Sequence, residues 1–252
     1  TLCVGLLTAM PAFSAVNVDA FVRRDRFNEI KLSPNGEYIA ATVPMEDPTA
    51  LAIIRRSDNK VTADFRLEKN THVHEFWWGN PERVLISMTR TYGDIDTPFR
   101  DGNLFAINAD GSDPDLLVGQ SVRGEGAKTR IQPKKVEQVT AYLADGLRED
   151  EKNVIISVSP FGYDTYSRAD EMDVYTGRRV TVARAPVRNA RFVTDNNGVV
   201  RFAFGFGVDN VRKLYYRAGP DASWELIGDE AGSGLAEVPL GFSEDDKTAY
   251  LL

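Results

Sequence analysis

Two histidines and a glutamate are the residues whose types and spacing most directly suggest chemistry: His72, His74 and Glu75. Side chains two positions apart on a β-strand lie on the same face, where two imidazoles can bind one metal ion. Local spacing indicates no third ligand, and no candidate nucleophile lies nearby for a histidine base to activate. We therefore interpret the group as a source of hydrogen bonds at the start of a strand.

Other motifs that could carry chemistry are incomplete. A hydrolase nucleophile elbow needs Gly-x-Ser-x-Gly, and Gly232-Ser233-Gly234 lacks that spacing, which favours a loop between repeats. Residues 205–207 lack the third glycine of a dinucleotide site. Residues 108–113 resemble a calcium loop without its distal glutamate, so we predict a hairpin turn there. The sequence thus identifies no catalytic, cofactor-binding or metal-binding residue.

The elements that would have to position any site follow a repeat. Short polar clusters that reverse the chain separate apolar strands at five places, which are marked by Asn35, Asn80, Asp150, Asn196 and Asp245. The spacings between these markers are 45, 70, 46 and 49 residues. Three of the four match the roughly 40 to 50 residues of one β-propeller blade.

Each complete unit contains a second hairpin, which brings its number of strands to four. We predict third strands at residues 51–56, 103–108, 172–175 and 213–217, and fourth strands at residues 61–67, 115–118, 179–184 and 224–228. Four antiparallel strands per repeat, stacked radially, form the blades of a β-propeller. The predicted fold class is therefore all-β, a β-propeller with four blades and the start of a fifth. A β-sandwich is the alternative, but it gives no reason for a four-strand module at a constant period.

Alternation along the predicted strands indicates one buried face on each. Aromatic and β-branched residues occupy every second position, at Val200, Phe202, Phe204 and Phe206 and again at Val154, Ile156 and Val158. The residues between them are small or polar. We expect the aromatic and β-branched set to form the buried face.

The irregular spacing of 70 residues indicates an insertion between the second and third units. The candidate segment runs from Gly119 to Lys135, with three glycines and five basic residues around one glutamate. Such a loop could reach a substrate or a neighbouring domain, but we favour a surface loop lengthened by neutral insertion. The segment from Val136 to Leu143 could form a short helix, since Val136, Val139 and Leu143 have helical spacing.

The first fifteen residues differ in composition from the rest. Residues 1–15 carry no charge, are apolar from Leu2 to Met10 and end in Ala12-Phe13-Ser14-Ala15, a pattern of the signal-peptidase type. We interpret them as part of a signal peptide, and an edge strand of the first blade is the alternative. Cys3, the only cysteine, lies inside this segment, so the mature chain would offer no disulfide, thiolate metal site or cysteine nucleophile.

Charge and hydropathy restrict the partners of the chain. A net charge of −7 argues against a nucleic-acid partner, which would normally require a basic surface. No later apolar run approaches the roughly 18 residues that a membrane span needs. We therefore expect an exported protein, periplasmic or secreted, with no membrane span and no cofactor.

Residues 30–40, IKLSPNGEYIA, resemble the blade opening of TolB-like propellers and of the N-terminal propellers of serine peptidases of the prolyl oligopeptidase family. The order of parts is similar to that of exported bacterial members: an export signal, a short lead at residues 18–27, the blade opening, and then FWWGNPERVL at residues 76–85. Residues 195–198 and Trp224-Glu225 also resemble this group. The resemblance covers essentially the whole chain after the signal.

In that family a C-terminal α/β-hydrolase domain carries a Ser-Asp-His triad, and the propeller restricts access to peptides. The resemblance implies that residues 16–252 are the propeller of such a peptidase, that its substrates are peptides, and that the hydrolase domain follows Leu252. No motif of the triad matches this chain, so no catalytic residue is transferred to it. One alternative is a TolB-like binding or scaffold propeller without catalysis, and a weaker one is a propeller glycosidase or lyase.

The last repeat stops within a strand, at residues 248–252. An unfinished blade leaves an open edge that can pair with other chains. We therefore expect the isolated 252-residue fragment to be catalytically inactive and poorly soluble.

Overall fold

The computed structural model describes residues 27–45, 48–67, 69–93, 98–119, 137–162 and 165–252. The signal segment at residues 1–15 and the insertion after Gly119 lie outside these ranges, so both interpretations stay predictions. Within the described ranges the chain forms seventeen strands and one short helix. No helix in those ranges has the length and apolar character needed to cross a membrane.

The strands group into four blades of four strands and one further pair. The first blade contains β1 (Ile30–Leu32), β2 (Tyr38–Pro44), β3 (Thr49–Arg55) and β4 (Lys60–Phe65). The second contains β5 (Thr71–Asn80), β6 (Arg83–Arg90), β7 (Phe99–Asn108) and β8 (Asp115–Val118). The third and fourth contain β9 (Val139–Asp145), β10 (Asn153–Pro160), β11 (Tyr166–Asp173), β12 (Arg179–Thr194), β13 (Val200–Phe206), β14 (Arg212–Tyr216) and β15 (Glu225–Asp229). The further pair is β16 (Pro239–Phe242) and β17 (Ala249–Leu251).

Neighbouring strands within each blade are antiparallel, and their order in the sheet follows their order in the chain. One parallel pair, Thr49 with His72, joins the first blade to the second. The predicted fold class is confirmed: the chain is a β-propeller of four four-stranded blades, followed by the first two strands of a fifth. In each blade the turns after the first and third strands lie at the same end, which we call the turn end.

Strand β12 belongs to two blades. Its residues 179–188 pair with β11 as the outer strand of the third blade, and its residues 188–194 pair with β13 as the inner strand of the fourth. The sequence predicted a fourth strand that includes residues 179–184, and the observed strand continues to Thr194. The chain passes from one blade to the next as continuous strand, and irregularities in the pairing absorb the change of partner.

Hydrophobic clusters lie between the blades, one at each of the three junctions. In the second blade, successive residues face opposite neighbours: Val84 and Ile86 pack toward the first blade, and Leu85 packs toward the third. On β7, Phe105 packs toward the first blade and Leu104 packs toward the third. All five side chains are fully buried. Both faces of a blade are therefore apolar, as radial stacking requires.

The expectation of one buried face per strand is wrong for β13. Phe202 packs against Tyr216 and Phe242 at centroid distances of 5.2 and 5.3 Å, but Phe206 is 40% exposed. Ala203, on the opposite face, is fully buried in the cluster shared with the third blade. Small residues at alternate positions let two blades approach, so here they mark a second buried face.

Two further boundaries differ from the prediction. The third strand of the third blade is β11 (Tyr166–Asp173), which begins well before residue 172 and leaves Tyr175 in the following turn. The proposed helix from Val136 to Leu143 is wrong over its described residues, since none of them is helical and those from Val139 onward belong to strand β9 and pair with β10. Val139 and Ala141 alternate with less buried neighbours, so pairing with an adjacent strand overrides the helical spacing.

The predicted loop at Gly232-Ser233-Gly234 overlaps the last two residues of the short helix α1 (Glu230–Ser233), which connects the fourth blade to β16. The Asp229 carboxylate caps its first turn by accepting the N–H of Ala231 at 3.1 Å. Gly234, at φ 71°, ends the helix in the left-handed region.

The first turn of the first blade and the turn of the last strand pair are built alike. The Ser33 hydroxyl donates to Asn35 Oδ1 at 2.8 Å, and the Ser243 hydroxyl donates to Asp245 Oδ1 at 2.7 Å. Each serine Oγ also accepts the backbone N–H of the residue five positions later, at 2.9 and 3.0 Å. The last strand pair therefore begins as a blade begins.

Asp229 provides a test of the junction after the fourth blade. Its hydrogen bond from Lys213 Nζ at 2.8 Å, reinforced by the N–H of Ala231, holds the pKa of Asp229 below the ordinary 3.8. A lowered pKa contributes stability that is present above pH 3.8 and is lost as the pH falls through the folded-state value. We expect Asp229→Asn to lower the Tm at pH 7 and the difference from wild type to narrow as the pH falls below 3.8. Glu244→Gln, at an exposed position, is the control, and a Tm deficit for Asp229→Asn that stays the same size as the pH falls would contradict the prediction.

Candidate functional site

The structure places His72 half-buried and His74 exposed on β5. His74 is the extra residue in a bulge, since Val73 pairs with Met88 while Glu75 already pairs with Ser87. The two histidines therefore do not follow the regular alternation that a shared face requires. Across the ranges that the structure describes, no three His, Cys, Asp or Glu side chains group so as to hold a metal ion.

The loop at residues 108–113 is the β7–β8 hairpin turn that the sequence predicts. Asp110 Oδ1 accepts the N–H and hydroxyl of Ser112 at 2.8 and 2.6 Å, and Gly111 N donates to Asn108 O at 2.9 Å. Asn108 Oδ1 accepts from Arg83 Nη1 at 2.7 Å. These oxygens satisfy donors of the hairpin and its neighbour, so the turn explains the motif.

Of the insertion between the second and third blades only Gly119 is described, and the described chain resumes at Glu137. Glu137 N donates to Gly119 O at 2.9 Å, which brings the ends together. The Glu137 carboxylate continues into a charged network on the third blade, where it meets Arg179 Nη2 at 2.9 Å and Arg168 Nη2 at 3.5 Å. Asp170, with a side chain 3% exposed, accepts from Arg168 and completes the network. The base of the insertion is therefore anchored by ion pairs.

A cavity of about 430 Å³ lies between the third and fourth blades at the turn end. Its walls come from the β9–β10 turn, the β12–β13 turn and the end of β14. Ile155, Val182 and Val200 supply apolar lining, and Arg217 and Glu171 bring opposite charges to it. The volume is in the range of small-molecule sites, which combine apolar walls with a few placed polar groups. We take this cavity as the candidate site.

Arg217 is the most deeply buried charged group of the cavity, with only 6% of its surface exposed. Its guanidinium donates to three backbone carbonyls, of Val200 at 2.7 Å, Pro220 at 3.0 Å and Val182 at 3.3 Å. Burial lowers the pKa of Arg217, and the charge of Asp221 opposes that effect. A guanidinium has five N–H donors, so these three bonds leave two of them for another acceptor.

Two other arginines at blade junctions are paired with carboxylates, which Arg217 is not. Arg83 meets Asp115 at 3.1 Å, and Arg201 meets Asp195 at 2.9 Å. Within the described part of the chain, Arg217 forms no ion pair with a carboxylate. Its positive charge is therefore balanced by carbonyl dipoles, the Trp224 ring and the more distant charge of Asp221, although a buried charge is normally paired directly.

Glu171 supplies the negative charge of the cavity. It lies on β11 opposite Ile155 of β10, is half-buried, and forms no side-chain hydrogen bond or ion pair within the described residues. A carboxylate can accept on both oxygens. The cavity therefore presents a cation and an anion that are not paired with each other.

A strained turn closes one side of the cavity. Leu147 lies at φ 50°, a left-handed conformation that costs energy for a bulky residue. The strain is held by Asp145, whose Oδ1 accepts the Leu147 N–H at 2.8 Å. The Leu147 side chain lies over Gly198 of the facing turn, where an added Cβ would fall 2.1 Å from Leu147 Cδ2.

Gly198→Ala is expected to destabilise the chain by about 1 to 3 kcal/mol, because alanine is strained at φ 77° and displaces Leu147. Gly232→Ala is the matched control, since no neighbouring atom lies within 4 Å of its Cβ position and alanine favours helix. We expect the control to be neutral or slightly stabilising. Thermal unfolding of both variants makes the comparison, and equal Tm values would contradict the role given to Gly198.

Two other cavities lack a deeply buried cation without a carboxylate partner. In one of about 360 Å³ between the fourth blade and residues 237–238, Lys213 is paired with Asp229 at 2.8 Å and with Asp209 at 3.4 Å, and Arg191 and Arg212 are exposed. In one of about 590 Å³ at the turn end of the first three blades, the Asn80 amide donates to Glu151 O at 2.7 Å and to the Tyr175 hydroxyl at 2.9 Å. Neither presents an unpaired charge comparable to Arg217.

Sequence reasoning did not identify Arg217 or Glu171 as site residues. Arg217 was placed at the end of a predicted third strand, and Glu171 fell just before another. They come together because the third and fourth blades pack side by side, and nothing in the local spacing signals an arginine without a carboxylate partner. Only the contrast with Arg83 and Arg201 in three dimensions distinguishes it.

Comparisons with known proteins find similar solved structures at low sequence identity. Oligopeptidase B from Leishmania major superposes with a TM-score of 0.47 and 14% identity over 85% of this chain and 28% of its own. Acylaminoacyl peptidase from Pyrococcus horikoshii superposes with a TM-score of 0.45 and 12% identity over 81% of this chain and 32% of its own. TolB from Acinetobacter baumannii superposes with a TM-score of 0.40 and 14% identity over 89% of this chain and 48% of its own. No protein-family model and no curated protein matches the sequence. Similarity at this level carries no information about activity, and the chain spans less than half of each of these three proteins.

Proposed function

We propose that the chain is the non-catalytic propeller of an exported serine peptidase of the prolyl oligopeptidase type. The intact protein hydrolyses peptides by acyl transfer to a serine downstream of Leu252, with a histidine base and an oxyanion hole. The propeller gates access to that site, so that short peptides enter and folded proteins do not. A TolB-like scaffold without catalysis is the alternative that the experiment must separate.

The blade opening supports the proposal. Residues 30–40 resemble the family in sequence, and the turn within them uses the Ser33 and Asn35 side chains to fix its hydrogen bonds. The turn at Ser243 and Asp245 repeats that geometry at the start of the next strand pair. The hydrogen-bonded turn within the family's motif therefore occurs twice in this chain.

Activity of a longer product tests the proposed function. The coding sequence is read past Leu252 to its stop codon, and the whole product is assayed with short peptides and a serine-reactive fluorophosphonate. We expect a Gly-x-Ser-x-Gly followed by Asp and His, fluorophosphonate labelling, and faster cleavage of short peptides than of a folded protein. An extension without these motifs, or an unlabelled product, would favour the scaffold. Peptidase activity in the 252-residue chain itself would overturn the location of the chemistry.

Export is tested separately at the N-terminus. The small-x-small pattern that ends at Ala15 predicts a mature chain that begins at Val16. Mass spectrometry of the protein recovered from the periplasm or medium measures that terminus. Recovery of uncleaved protein in the cytoplasm alone would contradict export.

A further inference from the structure

The cavity between the third and fourth blades has a property that the proposed function does not use. It brings together a buried arginine that has no carboxylate partner, Arg217, and a carboxylate that has no cationic partner, Glu171. Every residue that lines the cavity belongs to the described part of the chain. Both groups line the cavity whether or not the chain belongs to a peptidase.

The position of Arg217 is fixed before any ligand arrives. Its three hydrogen bonds reach carbonyls of both blades, since Val182 belongs to the third and Val200 to the fourth. The Trp224 ring lies 4.9 Å from the guanidinium carbon and restricts it further. A preorganised donor loses little freedom when it binds, so its interaction with an anion is efficient.

The surroundings of Arg217 favour a carboxylate over a larger anion. A planar guanidinium pairs with a carboxylate through two parallel N–H donors. The other charged residues of the lining are Arg148, Glu149 and Asp150, so with Arg217 and Glu171 the cavity carries two positive and three negative charges. An anion with two or more charges would meet repulsion from three carboxylates, whereas one carboxylate can be accepted if the same ligand also carries a positive group.

The acidic residues other than Glu171 are less suited to bind that positive group. Asp150 Oδ1 accepts the N–H groups of Lys152 and Asn153 at 2.8 and 2.9 Å, and its Oδ2 accepts the Asn153 amide at 2.9 Å. Glu149 is exposed, where water screens its charge. Glu171 is both half-buried and unoccupied by a donor of the described residues, so it is the acceptor of choice.

We propose that this cavity binds a dipolar ligand that carries a carboxylate and an ammonium group, the chemistry shared by a free α-amino acid and a short peptide with free termini. Arg217 binds the carboxylate through its two remaining N–H donors. Glu171 accepts from the ammonium group, and Ile155 and Val182 contact the apolar part between them. The site is of equal use to a peptidase and to a scaffold, so it goes beyond the proposed function.

Binding of capped and uncapped peptides to the whole product of the coding sequence, treated with the fluorophosphonate so that no peptide is cleaved, tests this assignment. The probes are glycine, triglycine, N-acetyl-triglycine and triglycine amide, and calorimetry or NMR shifts measure Kd. We expect saturable binding of glycine, triglycine or both, and a loss of about tenfold or more for each capped end, as for a charge-assisted hydrogen bond. Tighter binding of glycine identifies an amino-acid site, and tighter binding of triglycine identifies a peptide site. Absence of saturable binding by either, or equal Kd values for triglycine and its capped forms, would overturn the proposal.

Glu171→Gln assigns the ammonium contact. This variant is expected to weaken triglycine about tenfold and to leave N-acetyl-triglycine unchanged, because the acetyl group has already removed the charge that Glu171 contacts. Glu225→Gln, an identical change at an exposed position on β15, is the matched control and should leave both Kd values unchanged. Equal weakening of the two probes by Glu171→Gln, or the same loss in the control, would contradict the assigned contact.

Arg217→Lys tests the carboxylate contact, because lysine keeps the positive charge but lacks the planar guanidinium with its parallel N–H donors. We expect it to weaken triglycine about tenfold and triglycine amide little. Circular dichroism and the Tm of Arg217→Lys show whether the variant still folds. If it does not fold, the results for Glu171→Gln decide whether the proposal stands. The binding assay needs no hydrolase activity, so its failure is distinct from the failure of the proposed peptidase.

Discussion

Arg83→Gln is expected to lower the free energy of unfolding by about 3 to 5 kcal/mol, the loss that accompanies removal of one partner from a buried ion pair. The Arg83 side chain is fully buried, and it pairs with Asp115 at 3.1 Å. Its Nε also donates to Val174 O at 2.6 Å, across the junction between the second and third blades. The variant removes the cation from beside the Asp115 carboxylate and leaves the Val174 carbonyl without its donor.

Arg55→Gln is the matched control for Arg83→Gln. Arg55 pairs with Asp58 through two hydrogen bonds of 3.1 Å, but the two side chains are 40% and 47% exposed. Exposed ion pairs contribute little because water screens them. We expect no measurable change in stability for this control. Urea unfolding followed by tryptophan fluorescence compares the two variants, and similar losses would contradict the role assigned to burial.

Three arginines make contacts across the blade junctions, and two of them are paired with carboxylates. Arg83 bridges the second and third blades, and Arg201 lies 5.4 Å from the Phe242 ring of the next strand pair. Arg217 bridges the third and fourth blades through carbonyls. The first two are neutralised by Asp115 and Asp195, so they stabilise their junctions without attracting a ligand. Arg217 retains its charge, which is why the candidate site lies there.

Local turn chemistry explains why the sequence predicted the blades. The turns at Asn35, Asn80, Asp150 and Asp245 are fixed by side chains that accept from backbone N–H groups two or three residues later. Such Asx and related turns are encoded by adjacent residues, and their spacing then gives the length of a blade. The predicted fold therefore rests on contacts that are short in sequence.

Contacts between blades explain what the sequence did not predict. Whether Ala203 faces solvent or a second blade depends on which surface is placed against it, and β12 continues through two blades because each half finds a different partner. The pairing state of Arg217 likewise depends on which side chains the segments around Val182, Val200 and Pro220 place within reach of its guanidinium. Local sequence patterns do not predict these contacts between blades, so the candidate site could be found only from the three-dimensional structure.

Phe105→Ala is expected to cost about 3 to 5 kcal/mol, as for other large aromatic residues removed from a core. The side chain is fully buried, and its ring centroid lies 5.4 Å from that of Phe65 in the first blade. Phe99, on the same strand, is 51% exposed, so Phe99→Ala is the matched control and should change stability by less than about 0.5 kcal/mol. Urea unfolding of the two variants measures the difference.

Hydrogen exchange of Phe105→Ala shows which blades lose stability. Phe105 belongs to the cluster between the first and second blades, and the clusters at the other two junctions are separate. In a radial array each blade contacts only its neighbours, so stability is approximately a sum of blade and junction contributions. We therefore expect faster exchange for amides of β2, β3 and β6 and unchanged exchange for β13 and β14. Equal acceleration in all four blades would show one cooperative unit, and a ligand bound beside Arg217 would then stabilise every junction rather than its own.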